Sequence, residues 1–230
     1  MFLQVNAPAI LPARAGLAAA LLFPAASLAA ASGSYAPADA GTRSWHFEVS
    51  LDGRPIGRHD FTVQGSAPDA RVESHARFKV TALLIPFYSY EHWDRETWRG
   101  GCLSQIDART RENGRESLVR GQRSADDFEV RGPQGSAVLQ GCIRSFAYWN
   151  QDILTSRRLL NAQTGQYERV TVSRLGEGTV RYRGREVHAQ HYALEADAFR
   201  IELWYSTEGE WLALRTRTAE GRTLNYEIPP

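Results

Sequence analysis

The feature that most constrains this chain is the period of its hydrophobic pattern, which is two almost everywhere beyond residue 41. Trp45, Phe47, Val49 and Leu51 alternate with Ser44, His46, Glu48 and Ser50. Successive side chains of a strand point to opposite faces, so this alternation predicts a half-buried strand. Asp52-Gly53 then breaks the run, and Ile56 to Val63 return as the second arm of a hairpin. The same punctuation recurs at Asn113-Gly114, Gly132 to Gly135, Thr164-Gly165, Gly176 to Gly178, Gly184, Glu208-Gly209 and Glu220-Gly221. Runs of about 8–12 residues lie between these marks, the spacing of an antiparallel meander. A sheet of about ten to twelve strands twists and curls, and curling hides its edges. The expectation is one all-β domain over 42–230: a curled antiparallel meander, open barrel or spiral, enclosing an interior that its own side chains need not fill.

Two stretches break the rhythm. Thr81 to Tyr88 (TALLIPFY) is apolar without alternation and contains Pro86, which predicts a loop or short turn. Tyr148 to Leu160 (YWNQDILTSRRLL) predicts one short helical insertion, with Asn150 as its cap and Trp149, Ile153 and Leu154 on one side.

Ahead of the domain, Arg14 precedes the apolar run Gly16 to Ala31, and small residues follow it. Residues 1–31 therefore read as a secretory signal, with small-x-small exits at Ser27-Leu28-Ala29 and Ala29-Ala30-Ala31. The alternative is a membrane anchor, but the run is Ala-rich, contains Pro24 and falls short of the roughly 20 residues a span needs. Residues 32–41 are small and polar, a flexible lead-in. Export to the periplasm of a Gram-negative bacterium is the expected destination. In an oxidising compartment the lone pair Cys102 and Cys142 is expected to bridge. Two buried free thiols are the alternative.

Charge narrows the class of partner. The chain has 27 basic and 26 acidic residues, and losing Arg14 with the signal equalises them. A neutral protein gains no general attraction to phosphate backbones or anionic lipid, so neither nucleic acid nor a membrane surface is an expected partner. Lys79 is the only lysine.

The spacing W-x-F-x-V-x-L-D-G-x-x-I-G-x-H from Trp45 to His59 resembles a family of uncharacterised bacterial exported proteins. So do Tyr88-x-Tyr90-x-His92-x-x-x-Glu96-x-Trp98, Gly101-Cys102-Leu103, the Tyr148 to Gln166 segment, the Val180 to Tyr192 hairpin and I-x-L-W-Y-S from Ile201 to Ser206. The resemblance covers most of Trp45 to Ile228. It implies a curled antiparallel sheet, broadly similar to periplasmic lipoprotein carriers and β-spiral envelope-integrity proteins, and a role in the cell envelope. It carries no catalytic residues.

The densest block is Phe87 to Trp98 (FYSYEHWDRETW). On a strand, Tyr88, Tyr90, His92, Asp94, Glu96 and Trp98 share one face. Tyr88, Tyr90, His92 and Trp98 are the candidate ligand-binding residues, with rings for contact area and polar groups for orientation. The competing reading is cross-strand aromatic pairing beside a solvated carboxylate face. A metal on His92, Asp94 and Glu96 is disfavoured because metal sites draw ligands from separate elements. His188 and His191 point to opposite faces of a strand, and His46 and His59 are read as surface or edge positions of the first hairpin. No G-x-S-x-G, S-x-x-K or H-E-x-x-H occurs, so no catalytic residue, metal or cofactor is assigned. Ser89, between two tyrosines, is the one serine in crowded chemistry. The expected function is non-catalytic: a monomer binding an apolar or amphipathic molecule, a lipid among the candidates, inside the curl. An envelope assembly protein acting through protein contacts and a hydrolase with dispersed residues are the alternatives.

Overall fold

The computed structural model describes residues 41–82 and 85–230, with side chains described from Gly41 to Thr81 and from Tyr88 onward. The expected secretory signal and the lead-in up to residue 40 lie outside the described residues, as do Leu83 and Leu84. The first arm comprises β1 (Thr42–Leu51), β2 (Arg54–Ser66), β3 (Asp69–Ala82), β4 (Ile85–Arg99), β5 (Cys102–Glu112), β6 (Arg115–Ser124), β7 (Asp127–Gly132) and β8 (Gly135–Gln140). The second comprises β9 (Arg158–Leu160), β10 (Tyr167–Tyr182), β11 (Arg185–Ala196), β12 (Phe199–Tyr205), β13 (Trp211–Arg217) and β14 (Thr223–Glu227).

All fourteen form one antiparallel sheet in the order β8-β7-β6-β5-β4-β3-β2-β1-β14-β13-β12-β11-β10-β9. The all-β open sheet agrees with the expectation, with more strands than the turn spacing implied. Two of the extra strands, β7 and β8, have only six residues each, below the run length used to count them. The expected loop at Thr81 to Tyr88 is mostly strand: β3 runs to Ala82 and β4 starts at Ile85. Pro86 sits where the β3–β4 register shifts, between Val80 and Thr81, and an irregular pairing tolerates its missing N–H.

The sheet is two meanders joined through β1 and β14, where Val49 faces Tyr226. Residues 141–157 carry the chain from one edge to the other across the end of the curl. Ile143, Tyr148, Trp149 and Ile153 of this segment are buried, so it plugs the sheet instead of hanging outside it. The expected helix contracts to a single 3-10 turn, Gln151–Thr155, capped as expected by the Asn150 side chain, which accepts from Asp152 N. Two causes stop it. The Thr155 and Ser156 hydroxyls both donate to Asp152 O, competing with the helical ladder, and Arg158–Leu160 is taken into β9.

The interior is filled by rings. Phe47 and Trp211 pack at 4.4 Å between centroids, Phe61 meets Trp211 at 5.0 Å, and Tyr148 from the crossing segment meets it at 5.4 Å. Trp45 Nε1 donates to Trp211 O and Tyr205 OH donates to Tyr148 O, whereas Trp149 Nε1 has no partner. Cys102 and Cys142 form a disulfide with Cα atoms 5.1 Å apart, tying the start of β5 to the chain just beyond β8. On the outer face, the far end of the β10–β11 hairpin covers Trp204, Leu212 and Ala213 in a second, smaller cluster.

Candidate functional site

Strand register arranges the inner face as a lattice. One row runs Phe47, His59, Ala76, His92, Thr110 across β1 to β5. The next runs Trp45, Phe61, Ser74, Asp94, Ala108, and the next continues Val63, Val72, Glu96, Ile106. Ala76, Ser74 and Ala108 are small, so the surface dips between the two histidines and the two acids. Residues 145–148 and 161–163 close the dip from above, leaving a cavity of about 50 Å³ walled by His59, Phe61, His92, Asp94, Glu96 and Tyr148 among others.

The four residues singled out in the sequence share this inner face, as their spacing predicts. They do not share one role. His92 is buried on the cavity wall, and its Nδ1 lies 2.8 Å from Thr110 Oγ1. Tyr90 is buried one row away, stacked on Phe78 at 5.4 Å. Tyr88 is half-buried and donates to Glu112 Oε1 at 3.1 Å. Trp98 is sealed at 0% exposure, edge-on to Trp149 at 5.6 Å, with Nε1 donating to Glu96 Oε2 at 2.8 Å. Ser89 faces the exposed side.

Burial sets the electrostatics. It pushes the Tyr90 hydroxyl well above its usual range and pulls His92 down to about 3, so the imidazole is neutral. Burial, then the neighbouring Glu96, raises Asp94 well above the carboxylate range; burial raises Glu96, with hydrogen bonding by Ser145 and Trp98 opposing it.

His59 corrects the sequence reading. It was expected at the surface or an edge, yet it is 3% exposed, packed at a tilt on Phe61 with ring centroids 3.9 Å apart, and neither ring nitrogen is hydrogen-bonded. The signal for it is positional. His59 faces Phe47 across the hairpin, so it falls on the inward phase of β2, whereas His46 faces Asp60 on the outward phase. His46 is exposed, with Nδ1 2.7 Å from that carboxylate. His188 and His191 do point apart: His188 lies exposed by Glu177, while His191 stacks on Trp204 at 4.3 Å. Among the described residues no three His, Cys, Asp or Glu side chains converge as metal ligands.

A larger concavity lies where the two ends of the sheet approach. Gly132, at the end of β7, packs directly on the backbone of Thr164 and Gly165 before β10; a Cβ on Gly132 would stand 2.5 Å from Thr164 O. Gln166 Nε2 donates to Gln134 Oε1 across the same junction. Contact, not a strand ladder, thus brings the edges together, and β8 pairs only with β7. Between them runs an open cleft of about 650 Å³, lined by Ala137 and Leu139 of β8, by Arg158, by Glu168 and Arg169 of β10, and by Asp197. Arg158 lies over the Tyr167 ring at 4.6 Å. The loop 161–166 separates the two spaces, with Ala162 and Gln163 facing the cavity and Thr164 and Gly165 facing the cleft.

Comparison with known proteins places the architecture. The chain is similar to a solved beta-barrel-like protein of a domain of unknown function, DUF1849, from Brucella abortus, with a TM-score of 0.61 and 11% identity over 83% of this chain and 96% of that one. At that identity the likeness concerns the fold. No curated protein matches the sequence. The model of a family described as a domain of unknown function, DUF6134, matches residues 47–228, and the chain belongs to that family.

Proposed function

We propose that this is an exported, non-catalytic, monomeric protein of the cell envelope that binds an amphipathic ligand in the cleft between the sheet ends. The observation that carries the reading is a ligand-sized cleft at the junction of the sheet ends whose wall mixes apolar and charged groups. Open concavities of about 670 and 490 Å³ over β2–β6 and β5–β8 match it in size but not in place. Ligand sites measure about 300–1,000 Å³. The cleft, at about 650 Å³, falls inside that range, and the ring-filled interior, at about 50 Å³, does not. The cleft walls combine apolar Ala137, Leu139 and the Tyr167 ring with the charges of Arg158, Glu168, Arg169 and Asp197, which suits a molecule with both characters. Tyr90 and Trp98 pack in the ring-filled interior, apart from the cleft, and His92 faces the interior cavity. Export is supported by the Arg14 and Ala-rich exit pattern and by a disulfide, which persists in oxidising compartments.

The test uses protein recovered from a Gram-negative envelope. N-terminal sequencing should find the mature chain starting between Ala30 and Ser32. Mass spectrometry of its extract should find a bound amphiphile, and a fluorescent fatty-acid probe should compete with it. Ala137→Trp fills the cleft from an exposed position and should weaken the probe at least tenfold, or about 1.4 kcal/mol. Equal affinity in that variant, or no probe binding at all, refutes the cleft as the ligand site.

A further inference from the structure

The polar cavity under the crossing segment is a separate space with its own chemistry. We propose that it binds the primary ammonium head of an alkylamine, held by Asp94, Glu96 and His59. The argument starts from unmet hydrogen bonds. Both nitrogens of His59 and Oδ1 of Asp94 have no hydrogen-bond partner, and both residues line the cavity. A buried polar group left unpaired is costly, so natural cores retain few of them.

The donor and acceptor inventory selects the guest. Burial holds His59 well below its usual range, so its neutral ring offers one acceptor nitrogen to the guest while the other carries the N–H. Asp94 and Glu96 offer carboxylate oxygens. A primary ammonium has three donors and no acceptor, which matches three acceptors from two strands. Two acids disfavour an anion. A quaternary ammonium brings no N–H for His59 or Asp94, and an alcohol brings no charge to offset the two carboxyls. Phe61 and Tyr148 add aromatic rings to the same wall, and a ring face within reach attracts a cation. The volume of about 50 Å³ admits a head group and its first carbons, not a whole amphiphile.

The carboxyls of half-buried Asp94 and buried Glu96 hold protons more tightly than free carboxyls. An ammonium bound between them favours their ionised forms, so binding releases protons.

The test titrates the full exported chain with n-butylamine at neutral pH and constant ionic strength, against n-butanol and tetramethylammonium. Calorimetry in buffers of different ionisation enthalpy reads binding and proton release together. Saturable butylamine binding with proton release, absent for both controls, supports the assignment. Asp94→Asn keeps the shape and should weaken butylamine at least tenfold. His59→Phe, which preserves the ring against Phe61, should weaken it and is a second check should Asp94→Asn fold poorly. Ala137→Trp should leave butylamine binding unchanged, so this site and the cleft stand or fall separately. The proposal is overturned by no saturable response to butylamine, by equal binding of butanol, by undiminished binding in both cavity variants, or by loss of binding in Ala137→Trp.

Discussion

Replacing Gly132 by Ala tests whether the ends of the sheet truly meet. Gly132 lacks the positive φ that favours glycine, so alanine incurs no backbone strain there. In isolation the change would stabilise by about 0.4–1 kcal/mol, because alanine restricts the unfolded chain. The contact opposes this gain. The new Cβ would stand 2.5 Å from Thr164 O and 3.0 Å from Thr164 C, and both are backbone atoms that cannot rotate away. Reaching the 3.4 Å of ordinary contact requires a separation of about 0.9 Å at the junction. Overpacking of this kind costs about 1–3 kcal/mol, so a net loss of about 1–2 kcal/mol is expected. For a domain of this size that lowers Tm by about 2–8 °C. Gly178→Ala is the control: it has no atom within 4 Å and no positive φ, so it should be neutral or slightly stabilising. Urea titration followed by tryptophan fluorescence measures both. If Gly132→Ala is as stable as Gly178→Ala, the two ends do not touch and the cleft is not a defined space.

Reducing the Cys102–Cys142 bond, which spans 40 residues, should cost about 2–4 kcal/mol in chemical denaturation, and peptide mapping without reductant should link the two peptides. Trp98→Ala should cost about 3–5 kcal/mol, because it empties a sealed position and removes the donor to Glu96, while the affinity of the cleft for a fatty-acid probe should not change. His92 is held at about 3 in the fold against 6.5 when free, so its share of stability is full above pH 6.5 and falls below it. Raised Asp94 and Glu96 act oppositely, contributing most at low pH and losing that share as pH rises above the free carboxyl range. His92→Gln should therefore reduce acid sensitivity specifically, narrowing the stability gap to wild type by up to about 2 kcal/mol between pH 6.5 and 5.

The period of two made the strands and their inward faces legible, because one buried face is enough to phase a strand. It placed Tyr88, Tyr90, His92 and Trp98 together. It could not say which of them meets empty space, since that depends on Ala76, Ser74 and Ala108 lying beside them on other strands. His59 escaped because a polar residue on an inward phase carries no hydrophobic signal, although Phe61 and Val63 continue its phase. The cleft escaped for another reason. Pairing of β1 with β14, and the approach of Gly132 to Thr164, join residues far apart in the chain, and turn spacing is silent on such contacts. The structure has a single 3-10 turn where capping chemistry predicts a longer helix, because a cap marks where a helix begins and says little about where neighbouring strands cut it short.

Pairing of β1 with β14 also dictates an order of events. The N-terminal arm can zip outward from β1 through neighbouring hairpins as soon as it emerges, and its disulfide can close once Cys142, just beyond β8, has followed. The second edge of β1 must wait for β14, since Glu48 finds its partner only at Glu227. Closing so long a loop is slow, and an open inner strand is a template for misplaced pairing. A half-emerged chain therefore presents its central edge to every other chain in the compartment. Truncation within β14 should leave that edge permanently bare, with aggregation as the consequence.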